Sequence, residues 1–364
     1  MAVGLPTKSN WAAGDILTAA QMDDLAGTVN LLQYSAFPIM AGKNAIINGG
    51  MDIWQRGTSI ALAASSGTTY LADRWCTQPG ANQALTVSRQ ATGDTTNLPN
   101  IQYALRYQRN SGQTGTGTLS FVDNIETINT IPFVGKQVTV SFYARAGANF
   151  SSSSNILSFS LITGTGTDQN VFSGFTGQAS AIGVSDILTT TWQRFSHSAT
   201  LGTSITQLAL DFAFTPTGTA GANDYFEITG IQLELGSTAT TFSRAGGSIG
   251  GELALCQRYY YRQNASNVYT RYGQGIGTAT INVSANVYFP VTLRAAPSSI
   301  IDASNLAVYD GVTVTGISSV TMAQPSQQSA NINASVASGI VIYRPYDFLS
   351  NNTVSSYIGF SAEL

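Results

Sequence analysis

Val138-Thr139-Val140-Ser141-Phe142-Tyr143-Ala144-Arg145 alternates apolar and polar residues without a break. Successive side chains of a strand point to opposite faces, so this pattern predicts a half-buried strand. Leu157 to Leu161, Gln193 to Ala199, Ile205 to Phe214 and Tyr225 to Leu235 repeat it. The stretches between them are turn material, such as Ser151-Ser152-Ser153-Ser154-Asn155 and Thr163-Gly164-Thr165-Gly166-Thr167. Short strands at this spacing, with no helices between them, predict an antiparallel jelly-roll sandwich over residues 45–245.

Residues 266–364 are β-rich again. Ile281 to Phe289 alternates, and Asn305 to Val314, Ala330 to Ser335, Gly339 to Tyr343 and Tyr357 to Leu364 follow. A second, smaller sandwich is expected there. Only two stretches predict helix. Gly251 to Arg262 reads as a connector within residues 246–265. Asp15 to Gln33 carries a plausible N-cap, Thr18, with Gln21 three residues on. Leu17, Met22, Leu25, Val29 and Leu32 recur there as one apolar stripe. That stripe either packs on its own domain or serves self-association and docking. The chain therefore reads as all-β: two antiparallel sandwiches joined by a short helix, preceded by an N-terminal anchoring segment over residues 1–44.

Composition narrows the function. The 364 residues are 10% charged, against about 25% in an ordinary globular protein. Net charge is −3, and no Lys/Arg cluster occurs, which argues against nucleic acid. His197 is the single histidine, so metal or triad chemistry built on histidine has almost no material. Two cysteines, Cys76 and Cys256, are too few for a disulfide framework. The opening Met1 to Lys8 shows no secretory pattern, and no apolar run is long enough to span a membrane. The carboxylates Asp123, Glu126, Asp168, Asp186, Asp211, Asp224, Glu227 and Glu234 are scattered, and no nucleophile elbow or phosphate loop is present. The expectation is a protein that is not an enzyme and uses no cofactor.

Several blocks carry a family likeness. Asn48-Gly49-Gly50-Met51-Asp52-Ile53-Trp54-Gln55-Arg56-Gly57-Thr58, with Tyr70-Leu71-Ala72-Asp73-Arg74-Trp75, resembles the opening of a β-sandwich in bacteriophage tail fibre and related virion proteins. Ile228 to Gly236 and Glu252-Leu253-Ala254-Leu255-Cys256-Gln257-Arg258-Tyr259-Tyr260 resemble the segment that closes it. Trp11 to Met22 is similar to the attachment end of phage fibres, and Phe289 to Pro297 with Ala362-Glu363-Leu364 to their C-terminal domain. The middle of the chain also resembles galactose-binding-like carbohydrate-binding modules, through Val138 to Gly147, Thr191-Trp192-Gln193-Arg194-Phe195 and Glu227 to Leu235. In such modules those strands are framework, so the resemblance implies fold more than ligand. It further implies a homotrimer on a virion, made in the host cytoplasm. Its N-terminus would join a phage tail or adaptor protein, and its target would be a host cell-surface glycan. A head or decoration fibre of the capsid and a monomeric carbohydrate-binding module are the alternatives.

Candidate residues follow. Trp54, Arg56, Tyr70, Arg74 and Trp75 combine aromatic faces with planar polar groups, as sugar recognition requires. The competing reading is that the rings fill the core while Arg56, Asp73 and Arg74 satisfy one another. Tyr343, Arg344 and Tyr346 lie between strand signals and form a second carbohydrate-binding candidate, on a distal loop. Tyr259 to Arg262 are expected on the connector helix. Asn48, Asp52, Asp73 and Glu234 are weak candidates for a structural Ca²⁺, which needs six to eight oxygens. Leu17, Met22, Leu25, Val29 and Leu32 are the candidates for anchoring and trimer formation.

Overall fold

A computed structural model describes residues 42–79, 83–298 and 300–364. The expected N-terminal helix, with its stripe from Leu17 to Leu32, lies outside the described residues.

The first unit is built from β1 (Ser59–Leu62), β2 (Thr69–Tyr70), β3 (Trp75–Thr77), β4 (Leu85–Ala91), β5 (Tyr103–Arg109), β6 (Leu119–Ile125), β7 (Gln137–Ala146), β8 (Ile156–Gly164), β9 (Ala179–Ile187), β10 (Gln193–Thr200), β11 (Gln207–Phe214) and β12 (Tyr225–Leu235). They form two six-stranded antiparallel sheets, in the orders β1-β4-β5-β12-β7-β10 and β2-β3-β6-β11-β8-β9. This is the jelly-roll sandwich that the alternation predicts. Inward positions of both sheets fill one core. Val138, Val140, Phe142 and Ala144 of β7 meet Phe159, Leu208, Leu210 and Phe212 of the opposite sheet. Trp75 stacks on Phe121 at 4.5 Å between ring centroids, and Phe142 meets Phe212 edge-on at 4.9 Å. Burying each such side chain contributes about 1.5–3 kcal/mol.

Segment 44–49 runs along β12 without joining the ladder as a regular strand. Ala45 N–H donates to Leu233 O, and Ile231 N–H donates to Gly49 O, both at 3.0 Å. β12 bulges between Thr229 and Gln232 at this point. A Cβ on Gly49 would stand 2.0 Å from Ile231 O, so only glycine permits the approach.

The connector helix is shorter than the sequence suggests. It spans Ile249–Gln257, capped by Ser248, whose side chain accepts from Gly251 N–H at 3.1 Å. Tyr260 to Arg262, expected on this helix, instead belong to a strand, β13 (Tyr260–Asn264). The remaining strands are β14 (Arg271–Ala279), β15 (Asn282–Tyr288), β16 (Ile300–Ser304), β17 (Leu306–Tyr309), β18 (Val314–Ala323), β19 (Ser329–Val336), β20 (Pro345–Ser350) and β21 (Tyr357–Ser361).

In the expected second sandwich, six strands close on themselves. β14-β15-β19-β18-β17-β20 is a closed barrel, and β13-β21-β16 is a separate three-stranded sheet. Alternation has period two in a sandwich and in a barrel alike, so sequence periodicity does not separate them. The barrel interior holds small and branched residues, among them Val283, Ala285, Val287, Ile332 and Ala334, with Phe348. Gly339 to Tyr343, expected as a strand, is a loop: Gly339 and Tyr343 both take positive φ, +95° and +66°.

Candidate carbohydrate-binding surface

The residues singled out as a sugar site come together, but at a closed seam. Arg74 sits at the turn between β2 and β3 with φ +76°. Its guanidinium lies 3.7 Å over the Tyr259 ring, 2.5 Å from Glu363 Oε2 and 3.3 Å from Asp123 Oδ1. Arg56 lies 3.5 Å over the Tyr260 ring and 3.2 Å from the other Glu363 oxygen. Tyr70 donates its hydroxyl proton to Leu364 O at 2.7 Å. Trp54 is 8% exposed and donates to Met51 O, while Trp75 is fully buried and donates to Asn48 O. Neither indole offers a face to a ligand. The core-filling reading is the one realised, and the C-terminal residues Glu363 and Leu364 close the seam from the other side.

Burial dominates the electrostatics here. It pushes the Asp123 carboxyl up to about 7, against the pull of the Arg74 guanidinium. It pushes Asp73 up to about 6, against Arg56 and hydrogen bonds from Gln55.

The Ca²⁺ candidates are engaged elsewhere. Asn48 Oδ1 accepts from Ile53 N–H, and its amide donates to Ile53 O and Asp73 O. Asp52 pairs with Arg244 at 2.7 Å. Asp73 accepts from Gln55 N–H and the Gln55 amide. Glu234 accepts from Thr240 N–H, the Thr240 hydroxyl and the Gln232 amide. Among the described residues, no group of three His, Cys, Asp or Glu is placed to hold a metal ion.

The candidates Tyr343, Arg344 and Tyr346 separate. Tyr343 is 83% exposed, Arg344 pairs with Asp310 at 2.7 Å, and Tyr346 is buried with its hydroxyl accepting from Val341 N–H at 2.9 Å. Of the two tyrosines, only Tyr343 presents a ring to solvent.

The outer face of the first sheet carries a group that the sequence reading did not assemble. Phe226 and Ile228 of β12 point into the core, so Tyr225, Glu227 and Thr229 take the other face. Glu227 stands in register with Arg106 of β5 on one side and Arg145 of β7 on the other. Arg106 Nε and Nη2 donate to Glu227 Oε1 at 2.8 and 2.6 Å, and Arg145 Nε donates to Oε2 at 2.6 Å. Each guanidinium also rests on an aromatic ring: Arg106 on Tyr225 at 3.9 Å, and Arg145 on Trp192 at 4.7 Å. Trp192 is itself fixed by its indole N–H, which donates to Thr92 O. One buried carboxylate thus holds two cations flat against two rings. Both guanidiniums keep donors beyond those spent on Glu227.

Fixed, planar guanidinium donors on an outer sheet face suit a ligand that presents pairs of hydroxyl groups. The signal was present in the sequence but divided. Tyr143 and Arg145 occupy the outward parity of the strand that defines the fold. In the sequence Glu227 is one scattered carboxylate, and the stretch that holds Trp192 reads as framework.

No family model matches the chain, and no curated protein matches it. Solved structures do. The CBM22-1 xylan-binding domain of Paenibacillus barcinonensis Xyn10C is 14% identical, with a TM-score of 0.29, covering 50% of this chain and 95% of its own. TmCBM61, solved with β-1,4-galactotriose, is 11% identical with a TM-score of 0.31, covering 53% of this chain and 99% of its own. The enzymatically active domain of bacteriophage CBA120 tailspike protein 4 is 11% identical with a TM-score of 0.31, covering 53% of this chain and 21% of its own. CBM4 and further CBM22 domains are among the other matching structures. At TM-scores of 0.29 and 0.31 neither fold nor ligand follows from the likeness.

Proposed function

We propose that this chain is a non-catalytic adhesion subunit: a homotrimeric bacteriophage fibre protein that binds a cell-surface polysaccharide of the host. The observation that carries the glycan reading is the Arg106–Glu227–Arg145 row, with Tyr225 and Trp192 beneath its guanidiniums. The virion role rests on the sequence resemblance of the Asn48 to Thr58 and Glu252 to Tyr260 blocks. In this reading, residues 1–44 attach the chain to a phage tail or adaptor protein. The sandwich meets the glycan, and the barrel unit lies distally. A single shallow site of this kind binds weakly, and three linked copies multiply its effect through effective concentration.

The test is binding of the purified full-length chain to immobilised bacterial surface polysaccharides, with the solution mass measured on the same sample. Retention on at least one polysaccharide, at a mass three times the 38.2 kDa chain, supports the reading. No retention on any polysaccharide overturns the glycan role. Retention at the mass of one chain favours a monomeric carbohydrate-binding module instead.

A further inference from the structure

The chain carries a net charge of −3, yet the outer face of the first sheet has a positive surplus. Arg106 and Arg145 stand in register on either side of Glu227, two strand spacings or roughly 10 Å apart. Their side chains remain 25% and 27% exposed, while the carboxylate they share is wholly out of solvent. A third guanidinium stands beside them. Arg194 of β10 lies opposite Tyr143 of β7, which makes it the diagonal neighbour of Arg145 at about 7–8 Å. It is exposed, lies 5.6 Å over the Tyr143 ring, and donates through Nη2 to Ser141 Oγ and Thr240 O. It pairs with no carboxylate among the described residues. Arg145 spends only Nε on the protein, so both of its Nη groups are open to a ligand. Asp94 acts on Arg145 only from beyond salt-bridge distance, and Glu234 is offset by Lys43.

Resting on the glycan reading above, we propose that this face selects an anionic polysaccharide, whose acidic group seats between Arg145 and Arg194. Three cations stand against one carboxylate here. A neutral polymer pressed on the face strips water from charge that nothing compensates, whereas an acidic one replaces that water with counter-charge. Geometry points the same way. An open guanidinium fork meets a carboxylate or phosphate with two parallel, charge-assisted hydrogen bonds, which are stronger than those it makes to neutral hydroxyls. Trp192 beneath Arg145 and Tyr143 beneath Arg194 fix the two forks before the ligand arrives.

The test binds the full-length chain to immobilised bacterial surface polysaccharides of three kinds, with uronate-bearing, phosphate-bearing and neutral repeats. Retention on an acidic kind and not on the neutral kind is expected, with affinity falling at least about tenfold between ~20 and ~200 mM NaCl. The acidic kind that is retained identifies the group. Retention on the neutral kind as strong as on either acidic kind, or equal affinity at the two salt concentrations, overturns the proposal and leaves the glycan reading standing. Retention on none overturns both. Displacement by duplex DNA as effective as by the free polysaccharide, at equal charge, shows a nucleic-acid backbone in the site and overturns the proposal too. Arg194 lies outside the row that carries the glycan reading, so its variants test the anion alone. Arg194→Gln should bind the acidic polysaccharide about fivefold more weakly at low salt, and Arg194→Lys within about twofold of the parent. A folded Arg194→Gln protein of parent affinity overturns the proposed seat.

Discussion

Arg74 and Glu363 are 289 residues apart in sequence, yet Nη1 of one lies 2.5 Å from Oε2 of the other. Both side chains are nearly out of solvent, and Arg56 shares the same carboxylate. One acidic residue of the C-terminal tail therefore neutralises two cations of the sandwich. Breaking such a buried pair leaves a charge without a partner, which costs more than the pair contributes. Glu363→Ala should lower stability by about 3 kcal/mol, with Asp123 retaining part of the Arg74 charge. Urea unfolding checks this, and a midpoint within error of the parent would mean that the seam is solvated.

Asp211 gives a pH-dependent prediction. Burial pushes its carboxyl up to about 6, and its Oδ1 has no hydrogen-bond partner. A carboxyl whose folded pKa exceeds its unfolded value holds its proton more tightly when folded. Its favourable contribution is full at low pH and is lost as pH rises through about 6. Asp211→Asn should match the parent near pH 4 and exceed it by about 1–2 kcal/mol at pH 8. Denaturation at the two pH values decides it; equal stability at pH 8 would show that the carboxylate finds a partner in solution.

Trp75 and Trp192 should fail differently. Trp75→Ala removes a fully buried ring stacked on Phe121 and should cost about 3–5 kcal/mol of stability. Trp192→Ala removes the support beneath Arg145. It should leave the melting temperature within a few degrees of the parent while weakening polysaccharide binding about tenfold, a loss of about 1.4 kcal/mol. Unchanged binding in a folded Trp192→Ala protein would remove the outer sheet face as the site.

Gly49→Ala tests the junction between segment 44–49 and β12. The added methyl meets a backbone oxygen at 2.0 Å, which no rotamer change relieves. A loss of about 3 kcal/mol is expected. Gly67→Ala is the control, because nothing lies within 4 Å of the place its methyl would take and its φ is ordinary. It should change stability by no more than about 0.5 kcal/mol.

The strands of the sandwich were legible because their alternation is local. β7, β10 and β12 lie within a residue or two of where the pattern puts them. Tyr260 to Arg262 are misplaced on a helix by local reading because their helix-forming neighbours compete with a partner, β21, a hundred residues away. For Trp54 and Trp75 the sequence leaves both a sugar-binding and a core-filling reading open, and their burial in the fold selects the second.

Period and composition, which each short stretch carries alone, establish the all-β class and the turn-rich connections. Three further features exist only in the folded chain. Six C-terminal strands close into a barrel, Arg56 and Arg74 serve a buried seam with Glu363, and Arg106, Glu227 and Arg145 stand side by side. Each depends on contact between segments remote in sequence. Register between such strands is set by the packing of the whole core, and no local stretch encodes it.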